Sequence, residues 1–425
     1  MFPTTSKETI EHRYEDAKQV YAALGVDTDK ALDQLKGTAI SLHCWQGDDV
    51  GGFEVHDDPV AGGGIMSTGN YPGAARTADE LRADAEKAFA LIPGTLRFNL
   101  HAIYAETEGE VVDRDQLEPK HFAKWMDWAK KLGICLDFNP TFFAHPKADD
   151  GYTLSHADND IRKFWVRHDI ACRRIAEAMG RAQGSACVVN HWIPDGAKDQ
   201  PIDRWGPRKR LVESLDEIFA ADIDGDYCKD AVECKLFGIG SEDYVVGSHE
   251  FYLSYALTHE PMLCLDMGHF HPTETIHDKI SSVLTFQDEL LLHVSRGIRW
   301  DSDHVVILND DIRCLFQQIV RGNALSCMNI ALDFFDGSIN RIGAWVVGTR
   351  AAQKGILAAL LEPTDKLMSL ETGGDGAAKL ALLEECKTLP MGAVWDMFCL
   401  SCDTPAGTSW IDDMLVYDRD VIRQR

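Results

Sequence analysis

Eight short apolar runs recur along this chain, each followed by a helical segment or by a loop leading to one. They lie at residues 39–45, 96–101, 134–139, 186–192, 230–235, 262–266, 290–294 and 328–333. Short continuous apolar runs bounded by turn residues fit strands buried on both faces, as in a parallel sheet. The intervening segments, such as HFAKWMDWAKKLG and NDIRKFWVRHDIACRRIAEAMGRAQG, place apolar residues near every third or fourth position, the helical period. Eight alternating βα units predict an α/β fold, a (β/α)8 TIM barrel with additional N-terminal and C-terminal helices. A doubly wound open sheet is the alternative, but such sheets usually carry a Gly-rich turn after the first strand, and HCWQGDDVGG contains no GxGxxG.

The flanks read as helix. Thr5 or Ser6 is placed to cap a first helix that Gly25 stops, and Asp27 or Thr28 to start a second. Thr77 is expected to cap ADELRADAEKAFALI. TDKLMSLE, AAKLALLEEC, AVWDMFCLS and MLVYDRDVIRQR predict further helices after residue 363. The expected division is N-terminal helices over 1–36, a catalytic barrel over 37–362 and a helical extension over 363–425. A Gly- and Asp-rich loop joins the first strand to the helix after Thr77, and loops of that length in compact domains are usually functional.

Charge narrows the partners. Lys and Arg number 42 against 68 Asp and Glu, a formal net charge of −26. Such a field repels phosphate backbones, so nucleic acid is not an expected partner, and cations and neutral substrates suit it. No apolar run approaches the roughly 18 residues of a membrane helix. The polar start MFPTTSKETIEHRYEDAKQ does not read as a signal peptide. The twelve cysteines are scattered, and Cys44, Cys135, Cys187 and Cys264 sit in apolar runs as small hydrophobes. A cytoplasmic, reduced setting is expected. The CLSC at Cys399–Cys402 lacks a second pair at zinc spacing and reads as packing.

The chemistry concentrates at the ends of the last four strands. Glu233, Asp266, His293 and Asp333 each close a run, while His269, Asp301 and Asp303 follow in the loops. In a TIM barrel the strand C-termini converge on the active site. Seven oxygen and nitrogen ligands suit two divalent ions, with Mn²⁺, Mg²⁺, Co²⁺ or Zn²⁺ compatible with the mix. The strand-end four form one expected cage. The loop three form a second site with positions open to water or substrate, as a catalytic ion requires. A single strand-end Asp is as readily a helix cap, and a lone His a satisfied core residue; the set of seven argues for metal. Lys235, two residues beyond Glu233, is expected on the same face, where it would hold a hydroxyl or polarise a carbonyl. His43 and His101 also end strands. Trp45 and Trp192 either stack on sugar faces or pack the core.

SLHCWQGDDVGGFE, FNLHAIYAE, LDFNPTFFAHP, KLFGIGSEDYVVGSHEFY, LDMGHFHPTE, LLHVSRGIRWDSDHVV and LDFFDGSINRIGAWVVGTR together closely resemble bacterial L-rhamnose isomerases, over roughly residues 8–420. The resemblance implies a cytoplasmic homotetramer that interconverts L-rhamnose and L-rhamnulose in rhamnose catabolism. It implies a catalytic Mn²⁺ on His269, Asp301 and Asp303, and a structural ion, Mn²⁺ or Zn²⁺, on Glu233, Asp266, His293 and Asp333. Few carboxylates then remain free to act as a base, which favours a metal-assisted 1,2-hydride shift over an enediol route. In that scheme Asp333 orients a water, Lys235 helps polarise the carbonyl, and His101 guides ring opening or binds the far hydroxyl. Trp45, His101, Trp192 and Lys235 are the expected substrate-binding residues. A metal-dependent phosphodiesterase on the same barrel would want a basic groove, and a non-catalytic metal binder would not need the open loop site. A sister isomerase for another aldose would differ in as little as one or two pocket residues.

Overall fold

A computed structural model describes residues 1–54, 69–238, 240–298 and 304–425. Two helices lead in, α1 (Lys7–Ala23) and α2 (Thr28–Gly37). The Ser6 and Asp27 side chains accept from the Thr9 and Lys30 amides, satisfying N–H groups left over at a helix start. The chain then alternates as expected: β1 (Ile40–His43), α3 (Ala78–Phe89), β2 (Leu96–His101), α4 (Ala123–Leu132), β3 (Cys135–Asn139), α5 (Asn159–Gln183) and β4 (Cys187–Trp192). After β4 come a two-residue strand β5 (Gly196–Ala197), α6 (Trp205–Phe219), β6 (Cys228–Glu233), another two-residue strand β7 (Tyr244–Val245) and α7 (His249–Ala256). The last units are β8 (Met262–Asp266), α8 (His277–Leu284), β9 (Leu290–Val294), α9 (Asp310–Arg321), β10 (Met328–Leu332) and α10 (Arg341–Leu360). Four helices follow: α11 (Thr364–Thr372), α12 (Gly376–Cys386), α13 (Met391–Ser401) and α14 (Trp410–Asp420).

Eight strands close in the order β1-β10-β9-β8-β6-β4-β3-β2, every neighbouring pair parallel. The pairing of Ile40 with Ile330 joins the first strand to the last, which an open sheet would not do. Two details differ from the sequence reading. The first strand is shorter than 39–45, because Cys44–Gln46 turn into a 3-10 segment that brings Trp45 back over the barrel mouth. The small antiparallel pair β5–β7 lies outside the barrel and has no apolar alternation to announce it.

Alternation along the strands sorts the side chains into two environments. Outward-facing Ile40, Leu42, Phe98, Leu100, Phe138, Val189, Val232, Leu263, Leu265, Leu292 and Ile330 are buried in the continuous apolar layer shared with the helices. The inward-facing Val188, Ala231, Met262, Cys264, Leu291 and Ala331 make a separate small apolar cluster. The inner wall from β1 to β3 is polar instead. There Arg97 pairs with Asp137 at 2.7 Å, and Ser41 and the Val188 amide also donate to Asp137.

The helices after the barrel are tied back to it. Tyr417 and Arg425 both bond to the buried Asp84 of α3, at 2.8 and 2.6 Å. Arg341, at the start of α10, holds Asp49 at 2.8 Å and the Tyr71 and Pro72 carbonyls. It thus fixes both flanks of the long loop predicted to be functional, whose residues 55–68 lie outside the described ones.

Candidate metal centre and substrate cavity

The last inward-facing positions of the strands form the site. Glu233 ends β6, Asp266 ends β8, His293 is the penultimate residue of β9, and Asp333 follows β10 by one residue. Parallel register levels them: Asp266 pairs with His293, and Ala331 two residues before Asp333 pairs with the same histidine. One ligand atom from each of the four lies within 4.8 Å of the other three. His293 Nδ1 stands 3.2 Å from Glu233 Oε1, 3.2 Å from Asp333 Oδ2 and 3.4 Å from Asp266 Oδ2.

These contacts do not satisfy one another as hydrogen bonds. A single ring N–H serves one acceptor, yet three carboxylate oxygens crowd it, and Asp266 Oδ2 is buried without a hydrogen bond among the described residues. A cation with ligands at about 2.1 Å in octahedral geometry places adjacent donor atoms about 3.0 Å apart, close to the spacings seen here. The opposite carboxylate oxygens are held from behind, as outer-shell partners hold metal ligands. Asp266 Oδ1 accepts from the Gly268 amide and Ser295 Oγ, and Glu233 Oε2 accepts from Asn190 Nδ2 at 2.5 Å. The donor set therefore fits a hard or borderline divalent ion.

Electrostatics agree with that fit. Burial pushes the Asp333 carboxyl up to about 6. Burial also raises Glu233, but the His293 charge and hydrogen bonds from both histidines outweigh it and hold that carboxyl far below the usual range. Burial opposes a charged His293, yet its acidic neighbours drive its pKa well up. The His293 imidazole proton is thus a positive charge set among three carboxylates, a place a bound cation would take over while His293 offered its lone pair. Cys264 lies within reach of Glu233 and His293, but burial keeps its thiol protonated, in line with a small buried hydrophobe.

His269 sits beside the cage, its Nδ1 3.2 Å from Glu233 Oε1. Asp301 and Asp303, its expected partners in the second site, lie outside the described residues. Above the cage is a cavity of about 100 Å³, lined in part by Trp45, His101, Trp192, Glu233, His269 and Asp333. Three of the four expected substrate residues thus meet at one place with the ligands. His101 is pushed down to about 3 by burial, so its ring is neutral near pH 7, and its Nδ1 bonds Thr141 Oγ1 at 3.1 Å. Trp45 packs edge-on against His101, with centroids 5.0 Å apart, and Trp192 stacks with His269 at 6.5 Å. Lys235 is not part of the cavity lining; its Nζ lies 5.2 Å from the Trp192 ring centroid. The strand has already ended at Glu233, and the Lys235 amide bonds the Gly247 carbonyl instead of a barrel neighbour.

Sequence reasoning missed three asparagines beneath the site. Asn99, Asn139 and Asn190 occupy inward positions on β2, β3 and β4, and Asn139 donates to Asn99 at 2.6 Å. A signal was present: an amide inside an apolar run has to find a partner when buried. A much larger space, about 920 Å³, opens at the N-terminal end of the barrel, but the described metal-ligand clusters are all at the other end.

A closed parallel barrel carrying an imidazole–carboxylate cage under an aromatic-walled cavity defines a barrel enzyme with a candidate divalent-metal centre. Comparison with known proteins identifies which one. The family model for L-rhamnose isomerase (RhaA) matches residues 8–425. An L-rhamnose isomerase of Rhodopirellula baltica is 58% identical over 98% of this chain and 97% of its own length. Those of Salmonella typhimurium and Listeria innocua are 54% and 53% identical, each over 98% of this chain and 99% of theirs. The chain belongs to the L-rhamnose isomerase family, and it is an isomerase. No helix among the described residues is long and apolar enough to cross a membrane.

Proposed function

We propose that the chain interconverts L-rhamnose and L-rhamnulose by a metal-assisted 1,2-hydride shift. Family membership supports the substrate, and the crowding of three carboxylates on the His293 nitrogen is the observation that carries the metal dependence. Glu233, Asp266, His293 and Asp333 would hold one ion, and His269 with Asp301 and Asp303 a second, catalytic Mn²⁺. When bound there, a divalent ion would supply Lewis acidity toward the oxygens of the open-chain sugar.

The protein's own groups do the rest. Trp45 and Trp192 wall the cavity, offer apolar faces to C–H groups of the sugar and keep water from the reacting carbons. His101, neutral and held through Nδ1 by Thr141, orients a hydroxyl during ring opening. Asp333 belongs to both cage and cavity, which suits it to orient the water that takes the O2 proton. Lys235, whose Nζ lies 5.2 Å from the Trp192 ring centroid, would add the positive charge that helps polarise the carbonyl. A cytoplasmic homotetramer acting in rhamnose catabolism completes the reading.

The test is isomerisation of L-rhamnose by purified protein before and after EDTA, with metal content measured in parallel. Chelation should abolish turnover and Mn²⁺ restore it. Undiminished activity in protein shown to be metal-free would overturn the proposal.

A further inference from the structure

The barrel interior is not filled from end to end. Barrels of this type usually pack layers of branched side chains along the axis. Here the N-terminal end opens into a cavity of about 920 Å³, with Ser41, Arg97, Asn99, Asp137, Asn190 and Ala331 among its lining residues. Its polar wall can hold ordered water. Asn190 also lines the substrate cavity above, so its side chain is part of the partition between the two spaces. It is 3% exposed, and its Oδ1 has no hydrogen-bond partner among the described residues. Its Nδ2 donates to Glu233 Oε2 at 2.5 Å, opposite the Oε1 that faces both histidines. The carboxylate settles the amide orientation, because only the NH₂ end can face it.

We propose that Asn190 is a positioning residue for the metal cage. It pins the outer oxygen of Glu233 from below and separates the cage from solvent in the lower barrel. An unmet carbonyl is the cost of that partition, since a residue serving packing alone would not need a polar end buried without a partner. Losing the amide donor leaves a buried carboxylate oxygen unsupported and free to swing, which weakens the cation site. The size of the replacement then matters. Leucine fills the partition and denies Glu233 any donor. Alanine removes the amide and joins the two spaces, so that water from the lower barrel can occupy the gap and donate in its place.

This inference rests on the metal-site reading above, and the experiment separates the two. Mn²⁺ affinity of the chelator-stripped protein is measured by competition with a fluorescent chelator, without any turnover assay. Thermal unfolding of the metal-free protein is followed alongside. Asn190→Leu should weaken Mn²⁺ binding by about 10- to 100-fold, the usual effect of losing an outer-shell partner. Asn190→Ala should stay within about 3-fold of the parent, the difference expected when an ordered water takes over a hydrogen bond. If the leucine variant gives no cooperative unfolding, Asn190→Val provides the same contrast with less bulk. A parent protein that binds no Mn²⁺ removes the metal-site reading and this inference with it. A parent that binds, with a leucine or valine variant that binds equally well, overturns the inference alone. So does an alanine variant as weak as the leucine one, because water then does not reach Glu233.

Discussion

A methyl group added to α10, on the far side of the barrel wall, should be felt in the substrate cavity. An ideal Cβ built on Gly348 lies 2.4 and 2.5 Å from two ring carbons of Phe334. Carbon atoms prefer about 3.5–4.0 Å, so the ring has to retreat by roughly 1 Å. Phe334 is fully buried, lines the cavity beside Asp333 and stands edge-on to His43 with centroids 4.4 Å apart. Its retreat is toward the site. Overpacking of this kind costs about 1–3 kcal/mol, and replacing a helical glycine by alanine returns about 1 kcal/mol. The net loss is about 0–2 kcal/mol. For a chain of 425 residues, at an unfolding entropy of about 2.1 cal/mol/K per residue, that lowers Tm by no more than about 2 °C. Function should suffer more than stability, because a shift of about 1 Å in a reacting geometry can cost up to 100-fold in rate. Gly348→Ala is therefore expected to reduce kcat/KM for L-rhamnose at least tenfold while the protein stays folded. Steady-state kinetics beside a melting curve decide it. A variant that melts higher than the parent with unchanged kcat/KM would show that Phe334 has another way to move, and the packing argument would be wrong.

Two buried ionisable networks make stability depend on pH. Burial raises the Asp48 carboxyl from 3.8 to about 7, although Tyr104 Oη and the Gly52 amide both donate to it. A raised acid favours folding when protonated, so this contribution is present at low pH and lost as pH rises through about 7. Asp48→Asn should thus gain Tm relative to the parent between pH 5 and pH 8, with an upper bound of about 3 kcal/mol over that window; an unchanged difference across that range would reject it. His191 lies between Asp169 and Asp230, each at 2.9 Å. Burial alone would lower its pKa, but the two carboxylates raise it to about 9. Its stabilisation is complete below about 6.5 and disappears as pH rises through 9. His191→Gln is expected to cost about 3–5 kcal/mol at pH 7, because buried Asp169 loses its bond to the imidazole and Asp230 is left to its pair with Arg173; a loss under 1 kcal/mol in urea unfolding would refute this. Isomerisation in deuterated water should leave C1 of the product essentially free of solvent deuterium, and rapid incorporation at C1 would sink the hydride shift.

The period of the apolar pattern is a local property, and it was enough for the barrel. Eight runs with the spacing of βα units were legible because each strand and helix answers to its own residues. The cap at Thr77 was legible for the same reason, and those at Ser6 and Asp27 were narrowed to two adjacent residues each. The four clustered candidate ligands could be nominated because parallel strands in a closed barrel bring their C-terminal ends to one rim, so position at the end of a run already implies proximity. Other features depend on what lies across the barrel. The short reach of β1 and the turn at Cys44–Gln46 decide where Trp45 stands. The end of β6 at Glu233 sends Lys235 to the Trp192 ring instead of into the cavity lining. The Asn190–Glu233 bond joins residues 43 apart, and Gly348 meets Phe334 only because α10 packs back on the wall it follows. Such contacts are set by register, strand length and helix docking together, and no single segment carries them. By itself, then, the sequence determined the alternation, the rim and the kind of side chain upon it. Closure of the barrel decided which atoms face one another, because distances across a closed sheet depend on all eight strands at once.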